Sequence, residues 1–165
     1  YPLAKRYSCY PQLFLGIVFS WGVPLGFAAN GHPHLGVMFL LWGSCALWII
    51  GYDTIYAMQD LDDDVRVGIG SMARTLGDHA ARAVAFCYAG FALGLGLTGW
   101  LMGQGLGFML AWCMAVRTLA WQVQNIESTH ANYAHCFLSN VAVGAILSAG
   151  IGLDLALSMG SEGFF

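Results

Sequence analysis

Five stretches of this chain are each close to 20 residues long and mostly apolar: Pro11–Ala29, Leu35–Tyr52, Ala83–Met102, Gly105–Gln122 and Phe137–Met159. A helix that crosses the hydrocarbon core of a bilayer needs about 20 such residues. The spacing therefore predicts an all-α, polytopic transmembrane helix bundle of about five spans. Pro24 interrupts the first stretch, Arg117 lies inside the fourth, and Asp154 stands near the end of the last. Composition agrees with lipid as the main solvent. Of 165 residues, 58% are hydrophobic and 9% are charged, whereas a soluble domain carries about 25% charged residues. Six Lys/Arg and nine Asp/Glu cannot coat a water-soluble globule of this size. The net charge of −3 argues against a nucleic-acid partner, which needs a basic face. The five cysteines are scattered without a CxxC pair and read as small apolar residues.

The basic residues set an expected orientation. Lys5 and Arg6 precede the first stretch, and Arg66, Arg74 and Arg82 follow the second. The short breaks "NGHPH" and "GQG" carry neither Lys nor Arg. Positive residues favour the cytoplasmic side, so the amino end and the segment after Tyr52 are expected there. Residues 53–82 and 123–136 read as polar loops. No repeat or linker divides the chain, so residues 1–165 are taken as one membrane domain.

The loop after the second stretch is the chemical anomaly. "YDTIYAMQDLDDDVRVG" holds Asp53, Asp60, Asp62, Asp63 and Asp64, with Arg66 and then Arg74 nearby. If the helix of the second span ran on through Asp64, then Asp53, Ala57, Asp60 and Asp64 would share about 60° of arc, with Tyr56 beside them. Asp63 would lie at the edge of that stripe, and Asp62 would point away. Like charges one turn apart destabilise a helix, so a cation is expected to supply the missing charge. An EF-hand is excluded, because Val65 and Ser71 stand where its Gly and Glu belong. Mg²⁺ fits better. It takes one or two carboxylates and keeps its other positions for water and phosphate. Asp60, Asp64 and Asp63 are the candidate metal ligands. Arg66 and Arg74 are candidate phosphate binders. Asp53 and Tyr56 are candidates to border the reacting carbon.

This segment closely resembles the second aspartate-rich motif of the UbiA-type intramembrane prenyltransferases. The amino end, "YPLAKRYSCYPQLFLGIVFSW", resembles that family's YPxxKRxxxxPQxxLGxxFxW segment, and "FLSNVAVG" resembles an FxxNxxxG pattern near its carboxyl end. The best match is the branch that prenylates 4-hydroxybenzoate for ubiquinone. The resemblance implies nine transmembrane helices, of which these five match the last. It also implies a Mg²⁺-dependent transfer of a polyprenyl group from polyprenyl diphosphate to an aromatic ring at a bacterial inner membrane. Under it Asp60 and Asp64 are the DxxxD pair, and Arg6 receives the carboxylate of 4-hydroxybenzoate. The family's first motif, NDxxDxxxD, is absent. The chain is therefore expected to be a carboxyl-terminal fragment, inactive without its missing amino-terminal part. Gly70 stands where the family often has Lys. The competing class is a cation transporter or channel with an acidic cytoplasmic mouth. Such a pathway spreads carboxylates over several spans, and here they concentrate in one motif.

Overall fold

The computed structural model of the chain describes residues 8, 10–31, 34–68, 70–128 and 132–162, and every regular element among them is helical. In order these are α1 (Pro11–Phe19), α2 (Gly22–Ala29), α3 (Leu35–Gln59), α4 (Leu61–Val67) and α5 (Met72–Leu76). A 3₁₀ turn at Gly77–His79 leads into α6 (Ala80–Leu101), followed by α7 (Leu106–Ile126) and α8 (Tyr133–Glu162). Five helical stretches are long and apolar enough to cross a membrane: Pro11–Ala29, Leu35–Gln59, Met72–Leu101, Leu106–Ile126 and Tyr133–Met159. The all-α bundle of five spans is what the chain forms.

The two expected polar loops need correction. Most of residues 53–82 is helix, because α3 runs on from Tyr52 to Gln59 and α4, α5 and α6 follow. The other loop is shorter than expected, since α7 continues to Ile126 and α8 already begins at Tyr133. Hydropathy marks where lipid ends. The backbone ladder continues past that point wherever its N–H and C=O groups can still pair. Pro24 acts as expected of an interruption. It has no N–H to offer, so the helix stops at Phe19 and restarts at Gly22, with Pro24 in the tolerant first turn.

The α3 helix is central and packs against α1, α2, α5, α6 and α8. Against α6 the contact is close. A Cβ added at Gly90 would stand 2.6 Å from Leu47 Cδ1, and one at Gly94 would strike the Ser44 hydroxyl. Small residues at this spacing let helices approach in lipid, where no hydrophobic drive between them exists. A buried polar chain then ties four helices together. The Tyr88 hydroxyl donates to Gln122 Oε1 (2.6 Å), and Gln122 Nε2 donates to Ser139 Oγ (2.8 Å). The Asn140 amide donates to Gln122 Oε1 (3.4 Å), while Asn140 Oδ1 accepts the Trp48 indole N–H (2.8 Å). This chain satisfies the polar atoms that it buries, as a low-dielectric core demands, whereas the buried Gln12 Nε2 and Trp42 Nε1 have no hydrogen-bond partner among the described residues.

At the opposite end from the aspartates, α7 and α8 form a tight hairpin. Gly107 and Gly150 meet so closely that a Cβ on Gly107 would lie 2.7 Å from the Gly150 carbonyl oxygen. Asp154 of α8 accepts the backbone N–H groups of Gly107 and Phe108, each at 2.8 Å. A carboxylate from another helix thus caps the orphan donors that open α7.

Candidate active site

The aspartate motif does not lie on one uninterrupted helix. The helix bends at Asp60, whose φ of −91° and ψ of 9° end α3 and open α4. The expectation of a straight helix through Asp64 is corrected by that bend. Electrostatics supplies the reason. In mid-helix, three consecutive carboxylates repel. In the first turn of a new helix, Asp62, Asp63 and Asp64 meet the positive end of its dipole. Two backbone bonds still cross the bend: Asp60 N–H to the Tyr56 carbonyl (3.2 Å) and Asp64 N–H to the Asp60 carbonyl (2.9 Å). Gly68, at a positive φ of 75°, ends α4.

The bend keeps the carboxylates sorted. Asp53, Asp60 and Asp64 are half-buried, whereas Asp62 and Asp63 are exposed. The Tyr56 hydroxyl lies near the Asp60 carboxylate, and Asp53 is close enough to act electrostatically on both Tyr52 and Tyr56. Asp63 lies 3.4 Å from Arg66, and their side chains are 79% and 78% exposed. A pair so wetted contributes little. Among the described residues no three His, Cys, Asp or Glu side chains stand together as a metal-holding group. The three-carboxylate set Asp60, Asp63 and Asp64 is therefore not preassembled. The two half-buried carboxylates suit a hard divalent cation that takes its remaining ligands from water and phosphate.

Arg74 sits in the last turn of α5, and its backbone N–H is held by the Ser71 hydroxyl at 3.3 Å. The amino end clamps this helix. Gln12, 1% exposed, accepts the Met72 backbone N–H on Oε1 at 3.0 Å. Arg6 lies outside the described residues.

An apolar cleft of about 530 Å³ opens beside the motif, between α1, α2, α3 and α8. Cys45, Trp48, Ile49 and Tyr52 of α3 line one wall, and Phe137 and Asn140 of α8 line another. An aromatic ladder runs along this wall toward the aspartates. Trp48 stacks on Phe91 at 5.1 Å and meets Tyr52 edge-on at 5.9 Å. Phe137 then packs on Tyr52 at 5.9 Å and on Tyr56 at 5.2 Å. The "FLSNVAVG" stretch now has a physical meaning. Phe137 closes the ladder and Asn140 fixes the Trp48 indole, which passes over Gly144 at ordinary van der Waals distance. Sequence reasoning quoted this motif and the Pro-Gln pair but assigned no role to Phe137, Asn140 or Gln12. Their partners are 60 or more positions away in the chain.

Residues 1–148 match the UbiA prenyltransferase family. The chain belongs to that family. It is 38% identical over 159 residues to the 4-hydroxybenzoate octaprenyltransferase of Pseudomonas fluorescens (strain Pf0-1), covering 95% of this chain and 53% of that protein. It is also 38% identical over 156 residues to the enzyme of the same name from Nitrosospira multiformis, covering 93% of this chain and 53% of that protein. The apo structure of a UbiA homolog from Aeropyrum pernix K1 superposes with a TM-score of 0.81 at 28% identity, over 93% of this chain and 58% of that one. This chain therefore spans about half the length of the curated relatives it matches. The reading as a cation transporter or channel finds no support among these relatives.

Proposed function

We propose that the complete protein containing this UbiA-family chain transfers a polyprenyl group from polyprenyl diphosphate to the ring of 4-hydroxybenzoate, in ubiquinone synthesis at a bacterial inner membrane. The observation that carries this reading is a half-buried Asp60/Asp64 pair where the helix that walls an apolar, aromatic-lined cleft runs on beyond Tyr52. The names of the 38%-identical relatives supply the substrate class.

Asp60 and Asp64 would hold the magnesium, with Asp63 as the third candidate ligand. When bound, Mg²⁺ neutralises the charge that develops on a departing diphosphate. Arg74 and Arg66 add charge-assisted hydrogen bonds to the same oxygens, with Arg74 serving where Gly70 replaces the family's usual Lys. The cleft holds the polyprenyl tail and keeps water from the reacting carbon. The C1–O bond breaks with its electron pair leaving on the diphosphate oxygen. The acceptor carbon ortho to the phenol hydroxyl supplies the pair for the new C–C bond. Asp53 accepts the proton that this carbon loses. Arg6 grips the acceptor's carboxylate with its planar fork. The aspartate end faces the cytoplasm, where both soluble substrate and metal are at hand.

The experiment uses the full-length protein in membranes with labelled octaprenyl diphosphate and 4-hydroxybenzoate. Prenylated product that EDTA abolishes and added Mg²⁺ restores is the expected result. Product formed equally well in EDTA overturns the metal assignment, and no product at all overturns the reaction.

A further inference from the structure

We propose that Phe137 is a catalytic residue, its ring bordering the allylic cation between the departing diphosphate and the incoming aromatic ring; this rests on the prenyl-transfer reading above. Phe137 occupies the junction of the two halves of the site. It lines the apolar cleft, and its ring centroid is 5.2 Å from that of Tyr56, whose hydroxyl lies near Asp60. A carbon released beside the Asp60/Asp64 pair, with its tail in the cleft, therefore emerges next to this ring.

Such a carbon carries positive charge in a place where water is excluded. The face of an aromatic ring attracts a cation through its quadrupole, and more strongly once both are desolvated. Tyr52 and Tyr56 also offer ring faces, but each carries a phenolic oxygen that a carbocation can alkylate. Phe137 has no nucleophilic atom, so it can touch the cation without being consumed. Its position is fixed from two sides. Tyr52 and Tyr56 pack on it at 5.9 and 5.2 Å, and one turn further along α8 Asn140 is locked to Trp48 and Gln122. A ring held that firmly costs no reorganisation when the charge appears.

The test replaces Phe137 in the full-length protein by phenylalanines bearing one, two and three ring fluorines. The shape barely changes while the negative ring face is progressively drained. The expected result is a stepwise fall in log kcat along the series, with the KM for octaprenyl diphosphate constant. Phe137→Leu, which keeps bulk but has no π face, should lower kcat roughly tenfold, again at constant donor KM. If kcat stays flat across the fluorinated series, Phe137 is only a wall of the cleft and the proposal fails. A Phe137→Leu loss that appears solely in KM or in the amount of inserted protein also overturns it. Absence of product from the unsubstituted protein is the different failure, that of the prenyl-transfer reading itself.

Discussion

Carboxylates stand at both ends of this bundle, and the fold treats them in opposite ways. At one end Asp154 accepts two backbone N–H groups at 2.8 Å and closes the amino end of α7. Its hydrogen-bonding capacity toward the protein is used, and the hairpin around it is packed on Gly107 and Gly150. At the other end Asp60 and Asp64 stand half-buried one turn apart, with no arginine or lysine in an ion pair to either among the described residues. Burial of a charge is costly unless something pairs with it. The first carboxylate is therefore a structural part, and under the proposed reading the second pair serves a ligand. The contrast also removes the ground for a cation pathway. Asp154, far along the bundle from the motif, is already committed to a helix end.

The largest effect should separate the two ends most clearly. Asp60→Asn and Asp64→Asn in the full-length protein should each lower prenyl transfer at least about a hundredfold, the equivalent of roughly 3 kcal/mol of transition-state stabilisation. Their thermal midpoints in detergent should stay at the unsubstituted value or rise, because each change removes a half-buried charge with no ion-pair partner among the described residues. A variant that unfolds as it loses activity would place these carboxylates with Asp154 and end the comparison.

Asp154→Ala is the mirror experiment. It leaves two donors of α7 uncapped and should destabilise the protein by about 1–3 kcal/mol, read as a lower thermal midpoint. Activity per folded molecule should hold within about twofold of the original, since nothing near Asp154 belongs to the cleft. A large loss of kcat at unchanged stability would mean that the distal hairpin reaches the site.

The same contrast explains what could be read from the sequence. The five spans were legible because lipid imposes a long apolar run on every crossing segment. The half-burial of Asp60 and Asp64 beside an exposed Asp62 was legible because helical periodicity alone puts the first two on one face. The bend at Asp60 was not. It depends on the balance between carboxylate repulsion and the dipole of a new helix, and both alternatives share the same sequence. The cap by Asp154 was illegible for another reason. Its partners, Gly107 and Phe108, are 47 and 46 positions away. The roles of Phe137 and Asn140 were hidden in the same way, although their motif was in plain view. Local spacing reports what one helix presents. It does not report which helix receives it.

The smallest expected effect is the most discriminating for the bend. Asp62 is one residue past the first position of α4, exposed, and in the turn that faces the positive end of the helix dipole. An exposed first-turn carboxylate contributes about 0.3–1 kcal/mol to its helix. Asp62→Asn should therefore cost α4 only that much and leave prenyl transfer within about threefold of the original. The substitution keeps the size of the side chain and removes only its charge, so packing cannot account for any loss. If kcat instead falls as far as it does in Asp60→Asn, then Asp62 must reach the diphosphate. The chain would then have to turn through Asp60 differently, bringing Asp62 onto the face that Asp64 now holds. Measuring the two variants side by side, at equal amounts of inserted protein, decides between these geometries.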